Sequence, residues 1–252
     1  MRTLIAANWK MHMTRSQASS TAQDLVGQLE GNPPADREVL ILPPFTSLEA
    51  VSGAISGKSG FSLGGQDFYP AEEGAYTGEV SPNMLLDAGC AYALAGHSER
   101  RHFFRESDEL VGEKLAYGLE KGLHMILCVG ETLEERKSDA VREVLSRQLR
   151  SALDGERVQN ALATGLSVAY EPVWAIGTGE VARPEDIREA HAMVREELTA
   201  LLFGKGEETG ILYGGSVKPD NISQILGIDN VNGVLVGGAS LKADSFSAIA
   251  RG

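Results

Sequence analysis

Leu4-Ile5-Ala6-Ala7-Asn8-Trp9-Lys10 opens the chain with a short apolar run that passes directly into an amide, an indole and an ammonium. The run is too short for a helix and does not alternate, which is the pattern of a parallel strand covered on both faces. The same plan recurs. Candidate strands are Leu4–Ala7, Val39–Leu42, Phe61–Gly64, Tyr92–Ala95, Met125–Val129, Ser167–Tyr170, Ile211–Tyr213 and Val234–Val236, eight in all. Gly96-His97-Ser98-Glu99 follows the fourth, Glu171-Pro172 the sixth, and the pairs Gly214-Gly215 and Gly237-Gly238 the seventh and eighth. In a closed barrel of parallel strands these ends share one face, where an amide, an ammonium, an imidazole, a carboxylate and two backbone nests converge on one small molecule.

Helical patterns lie between the strands. Ser107 is placed to cap a helix with Val111, Leu115 and Leu119 on one stripe and Gly122 at its end. Pro184-Glu185-Asp186 opens another, whose face runs through Ile187, Ala190, Val194, Leu198 and Leu201 to Gly204. Pro219 is read as opening a helix through Ile222, Ile225 and Leu226, and Leu133 to Leu153 keeps Val141, Val144 or Leu145, Leu149 and Leu153 on a stripe. Eight alternations at unequal spacing, in 252 residues, predict an α/β fold. The expectation is a single-domain (β/α)8 barrel over residues 1–252, eight parallel strands ringed by helices. A doubly wound open sheet is the alternative at this point.

Lys+Arg 23 against Asp+Glu 35 gives a net charge of −12, which argues against a nucleic-acid backbone or an anionic membrane as partner. It does not exclude an anionic substrate, because a cleft can hold positive potential locally. Cys90 and Cys128 lie in or beside apolar segments without metal-ligand spacing and are expected to be reduced and buried. Arg2 and the four apolar residues Leu4–Ala7 are too little for a signal peptide, and no run approaches membrane-spanning length. A cytoplasmic location is the expectation.

Glu171, followed by a proline that stiffens the chain, is placed to act as a general base. The segment after it, Pro172-Val173-Trp174-Ala175-Ile176-Gly177-Thr178-Gly179, is apolar at its tip and flanked by glycines, as a lid that excludes water would be. His97 at a helix start favours a neutral imidazole, able to polarise a carbonyl or enediolate oxygen. Lys10 supplies a fixed positive charge and Asn8 an amide. Gly214-Gly215-Ser216 and Gly237-Gly238 expose backbone N–H groups where barrels commonly hold a phosphate. Neither has the spacing of a nucleotide fingerprint.

These segments resemble the triosephosphate isomerase family. The likeness runs from Ala7 to Leu241 and is carried by Asn8-Trp9-Lys10-Met11, Ala75 through Ser81, Gly96 through Arg101, Cys128-Val129-Gly130-Glu131-Thr132, Tyr170 through Gly179, Tyr213 through Val217, and Leu235 through Leu241. It implies a TIM barrel that interconverts dihydroxyacetone phosphate and D-glyceraldehyde 3-phosphate through an enediolate, without metal or cofactor. By resemblance Glu171 is the base and His97 the neutral electrophile, while Lys10 and Asn8 stabilise the enediolate. Trp9, Gly177, Ser216, Gly237 and Gly238 fall at substrate-binding positions, with Ser98, Glu99 and Cys128 supporting them. Gln66 and Tyr76-Thr77-Gly78-Glu79 are implied to meet a second subunit in a homodimer. Another phosphosugar-binding barrel enzyme, or a non-catalytic sugar-phosphate binder, would share the glycine nests without needing Glu171 and His97 together.

Three positions depart from the family pattern. Glu180 stands where lysine is common, and Asn230 and Asn232 stand where aspartates are usual, so a charge pair with Arg195 is not carried over by the resemblance.

Overall fold

The computed structural model describes residues 2–31, 33–153, 155–162, 165–176 and 180–252. Eight strands form: β1 (Thr3–Asn8), β2 (Arg37–Leu42), β3 (Phe61–Gly65), β4 (Tyr92–Ala95), β5 (His124–Val129), β6 (Leu166–Tyr170), β7 (Gly210–Tyr213) and β8 (Gly233–Val236). Each pairs in parallel with the next, and β1 pairs with β8, so the sheet closes into a barrel. Ala7 illustrates the closure, lying opposite Ile41 on one side and Val236 on the other.

Both faces of every strand are covered, which is why the runs read as continuously apolar. Leu4, Ala6, Leu40, Leu42, Tyr92, Leu94, Ile126, Cys128, Ala169, Leu212 and Leu235 fill the barrel interior. Ile5, Ala7, Val39, Ile41, Leu127, Val129, Val168 and Tyr170 point outward and pack, with helix residues such as Leu115, Leu149 and Val194, into the layer between strands and helices. Alternation therefore fixes which side each strand-end residue faces.

The helices follow their signals with three corrections. Ser107 caps the helix Asp108–Lys121, accepting the Leu110 N–H at 3.3 Å, and Gly122 ends it in the left-handed region. The helix that begins at Pro184 stops at Leu201, short of Gly204. Leu133 to Leu153 is two helices, Leu133–Lys137 and Val141–Leu153. They part at Asp139, whose φ of 60° no helix accommodates. The helix assigned to Pro219 begins later, at Ile222. Asn221 Oδ1 folds back to accept the Lys218 N–H at 2.8 Å, so the Pro219 stretch is a side-chain-closed turn.

Candidate active site

The mouth of the barrel at the strand C-termini is a cleft of about 480 Å³. At the end of β1, Lys10 adopts a φ of 51°, sparsely populated for a residue with a Cβ. Local bonds hold it there. Its N–H donates to Asn8 Oδ1 at 3.0 Å, and its carbonyl accepts from Gln66 Nε2 at 2.9 Å. The same Gln66 nitrogen donates to the Leu42 carbonyl at 2.8 Å. The Lys10 ammonium meets Glu99 Oε1 at 2.6 Å.

At the end of β4, His97 caps the short helix Ser98–His102. Its Nδ1 accepts the Glu99 N–H at 3.2 Å. A nitrogen that accepts carries no proton, so the ring is the neutral tautomer protonated at Nε2. That Nε2 faces Glu171 Oε1 at 3.1 Å. Glu171 Oε2 accepts the Ser98 N–H at 2.8 Å.

Glu171 continues β6, its N–H donating to the Val129 carbonyl at 2.8 Å, and is buried. Two glycines make room for it. A Cβ on Gly130 would run into the Glu171 carbonyl, and one on Gly214 would stand 2.9 Å from Glu171 Cγ and 3.1 Å from the Tyr170 carbonyl. Beneath Glu171, Cys128 is buried inside the barrel, where burial first and the Glu171 charge second push its thiol well up. A thiol so held is not a nucleophile.

Asn8, Lys10, His97, Glu171, Ala175, Ile176, Ser216, Gly237 and Gly238 all line the cleft. Gly177, Thr178 and Gly179 lie outside the described residues. Trp9 is not on the cleft wall: its indole is buried among the outward residues and donates to the Ser240 carbonyl at 3.1 Å. Trp174 also faces away from the cleft. Its indole N–H needs a buried acceptor and takes Glu131 Oε1 at 2.7 Å. From the neighbouring Val173 the backbone N–H reaches the Glu131 carbonyl. Tyr76 is exposed and stacks on Tyr69 with ring centroids 4.2 Å apart, and Thr77-Gly78-Glu79 projects beside it.

Sequence reasoning missed His12, Lys218 and Leu235 on the cleft wall, although Lys218 stands only two residues beyond Ser216. It also gave no role to Glu131. The two asparagines do contact Arg195, whose Nε donates to Asn230 Oδ1 at 3.1 Å and Nη2 to Asn232 Oδ1 at 3.3 Å. Burial lowers the Arg195 pKa; amide oxygens replace the expected carboxylates around it. Among the described residues no cluster of three or more His, Cys, Asp or Glu is arranged to hold a metal ion.

The family model for triosephosphate isomerase matches residues 3–252. A triosephosphate isomerase of Nitratidesulfovibrio vulgaris is 56% identical over 249 residues, covering 99% of both chains. One from Oleidesulfovibrio alaskensis is 54% identical over 250 residues, with the same coverage. The crystal structure of triosephosphate isomerase from Bartonella henselae superposes with a TM-score of 0.88 at 38% identity, covering 99% of this chain and 98% of that one.

Proposed function

Because the chain belongs to the triosephosphate isomerase family, we propose that its cleft is where dihydroxyacetone phosphate and D-glyceraldehyde 3-phosphate are interconverted, with Glu171 as the base. The protein is an intramolecular aldose–ketose isomerase. Glu171 takes a proton from one carbon of the bound triose and returns it to the neighbouring carbon. His97, protonated at Nε2, donates to the two oxygens as charge moves between them, and Lys10 holds that charge in place. The observation that carries this reading is the pairing of His97 Nε2 with Glu171 Oε1 at 3.1 Å, inside a cleft whose far wall is Ser216, Gly237 and Gly238. A substrate oxygen that takes over the His97 donor removes the contact from the carboxylate and leaves Oε1 open to accept the carbon-bound proton.

The phosphate fits the glycine wall, where backbone N–H groups and Lys218 stand together. The segment Pro172–Gly179 acts as the cover, its described part placing Ala175 and Ile176 against the cleft. Residues 1–252 work as one barrel domain and bind no cofactor.

The protein acts as a homodimer in this reading. Met11, Phe45 and Phe104 are exposed apolar side chains in a cleft that also contains Lys10, Gln66 and Glu99. Apolar surface of that kind beside a catalytic lysine is the mark of a partner's seat. The projecting Tyr76-Thr77-Gly78-Glu79 loop is the segment offered to fill it. No described helix is long and apolar enough to cross a membrane, and we place the enzyme in the cytoplasm with its charged substrate. A coupled isomerase assay on the purified protein, with Glu171→Gln and His97→Gln beside it, tests the assignment. Full activity in either variant would overturn its stated role.

A further inference from the structure

Glu131 lies just beyond β5 with no exposed surface. Alternation turns it outward, behind the barrel wall, away from the substrate cleft. One of its oxygens, Oε1, takes three donors: Tyr170 Oη at 3.1 Å, Trp174 Nε1 at 2.7 Å and Arg136 Nη1 at 3.1 Å. Tyr170 immediately precedes Glu171 and Trp174 follows it by three residues. The Val173 N–H adds a bond to the Glu131 carbonyl at 3.1 Å. One buried acid therefore grips the chain on both sides of the base. Its other oxygen, Oε2, finds no hydrogen-bond partner among the described residues, so the side-chain part of the grip runs through a single atom.

A buried carboxylate needs a compensating charge, and stripping that charge away costs far more than the pair itself contributes. Arg136 provides it. The guanidinium also stacks on Trp174, with Cζ 4.8 Å from the ring centroid. Its Nη2 reaches Asp186 Oδ1 at 2.5 Å, in the first turn of the helix that begins at Pro184. One planar group thus neutralises Glu131, holds the indole face and ties both to that helix. A lysine cannot do all three, because it is a point charge on a flexible stem.

We propose that Arg136 is a positioning residue for Glu171, acting through Glu131 and Trp174. Arg136 does not line the substrate cleft, so it serves the reaction only by fixing where the base sits. The inference rests on the reading of Glu171 as the base.

The test compares Arg136→Met, Arg136→Lys and the double variant Arg136→Met/Glu131→Gln in the full-length enzyme. Arg142→Met serves as control, since Arg142 pairs with Glu196 at 2.8 Å on an exposed surface. Misplacing a catalytic group by about 1 Å lowers turnover by up to about a hundredfold, and Arg136→Met should lose kcat by roughly ten- to a hundredfold while KM changes little. Its Trp174 emission should shift, the second indole, Trp9, being buried elsewhere and unaffected. Glutamine at 131 keeps an acceptor for Tyr170 and Trp174 without the stranded charge, so the double variant should recover most of the lost kcat. Arg136→Lys should fall between wild type and Arg136→Met, and it carries the test if Arg136→Met does not fold. Wild-type kcat in the methionine or lysine variant, or no recovery in the double variant, overturns the proposal. Glu171→Gln measured alongside separates the two readings. An active Glu171→Gln sinks the assignment of the base, whereas an inactive one beside an unimpaired Arg136→Met sinks the positioning role alone.

Discussion

His97 Nε2 and Glu171 Oε1 stand 3.1 Å apart at the ends of two different strands, β4 and β6. The contact exists because His97 Nδ1 is already committed to the Glu99 N–H, which leaves Nε2 as the protonated nitrogen. The Ser98 N–H then holds the second carboxylate oxygen. Hydrogen bonding alone thereby decides the direction of the contact: the imidazole donates and the carboxylate accepts.

The first prediction removes the proposed base. Glu171→Gln keeps an acceptor for the Ser98 N–H and nearly the same volume, so the fold should survive. Isomerisation should fall by about 10²–10⁴-fold, the usual cost of losing a positioned general base. Exchange of solvent deuterium into the substrate isolates the proton-transfer step. Exchange at the wild-type rate in this variant would show that another group takes the proton.

The Lys10 ammonium sits 2.6 Å from Glu99 and close to Gly237, where a Cβ would come within 3.3 Å of its Cε. It therefore stands beside the glycine wall proposed for the phosphate. Lys10→Met should raise KM and lower kcat together, because the charge stabilises both bound substrate and transition state. Inhibition by a phosphate-bearing enediolate mimic should weaken in parallel. An unchanged inhibition constant would rule out the charge-stabilising role.

Much of this was legible from strand ends. Parallel strands buried on both faces must be apolar throughout, so their boundaries stand out where Asn8, His97 and Glu171 begin. The misplacement of Trp9 was avoidable, because period-two alternation decides it. Leu4 and Ala6 point into the barrel, which sends Asn8 and Lys10 inward and leaves Trp9 with Ile5 and Ala7 outside. Glu131 falls outward by the same count, following Leu127 and Val129. Its partners Arg136, Tyr170 and Trp174 come from three separate segments, and no local pattern announces such a meeting. The break at Asp139 was hidden for another reason. Its left-handed backbone leaves no local signal, because an aspartate tolerates that conformation without requiring it.

His191 supplies a prediction on acid stability. It is fully buried, edge-on to Tyr170 at 5.8 Å, with Nδ1 on the Asn230 carbonyl at 3.1 Å. Burial pushes its pKa down to about 4, against roughly 6.5 in an unfolded chain. Below that unfolded value the unfolded state binds a proton that the folded state refuses. The stabilisation is complete above about pH 6.5 and is lost as pH falls toward 4, by roughly 3 kcal/mol in all. Urea midpoints measured from pH 7.5 to 4.5 should fall in the wild type and fall less steeply in His191→Phe. Equal slopes would place the acid sensitivity elsewhere.

Assembly is checked at the loop Tyr76-Thr77-Gly78-Glu79. Met11 and Phe104, 94% and 65% exposed, are surface that a lone barrel would have no reason to show beside its lysine. Shortening the loop should produce monomers that keep the barrel's circular dichroism and lose most activity. Sedimentation of the unaltered protein at micromolar concentration should give a dimer. A fully active monomer would remove the second subunit from the account.

The last prediction concerns the cover over the cleft. An enediolate beside a carbon bearing phosphate can expel that phosphate by elimination when the C–O bond turns out of the molecular plane. An isomerase must prevent this by holding the phosphate in plane and keeping water away. Ala175 and Ile176 lie against the cleft, while Trp174 is anchored behind it on Glu131, so the chain leaves its anchor just where it reaches the cleft wall. Replacing Ile176-Gly177-Thr178-Gly179 with a shorter link leaves Glu171, His97 and the Trp174 anchor in place. Proton abstraction should continue at a reduced rate, but a large share of the intermediate should leave as methylglyoxal and inorganic phosphate. The ratio of released phosphate to isomerised product decides between a cover and a mere connector. A variant that slows both outcomes equally would show that the segment only joins β6 to the helix after it.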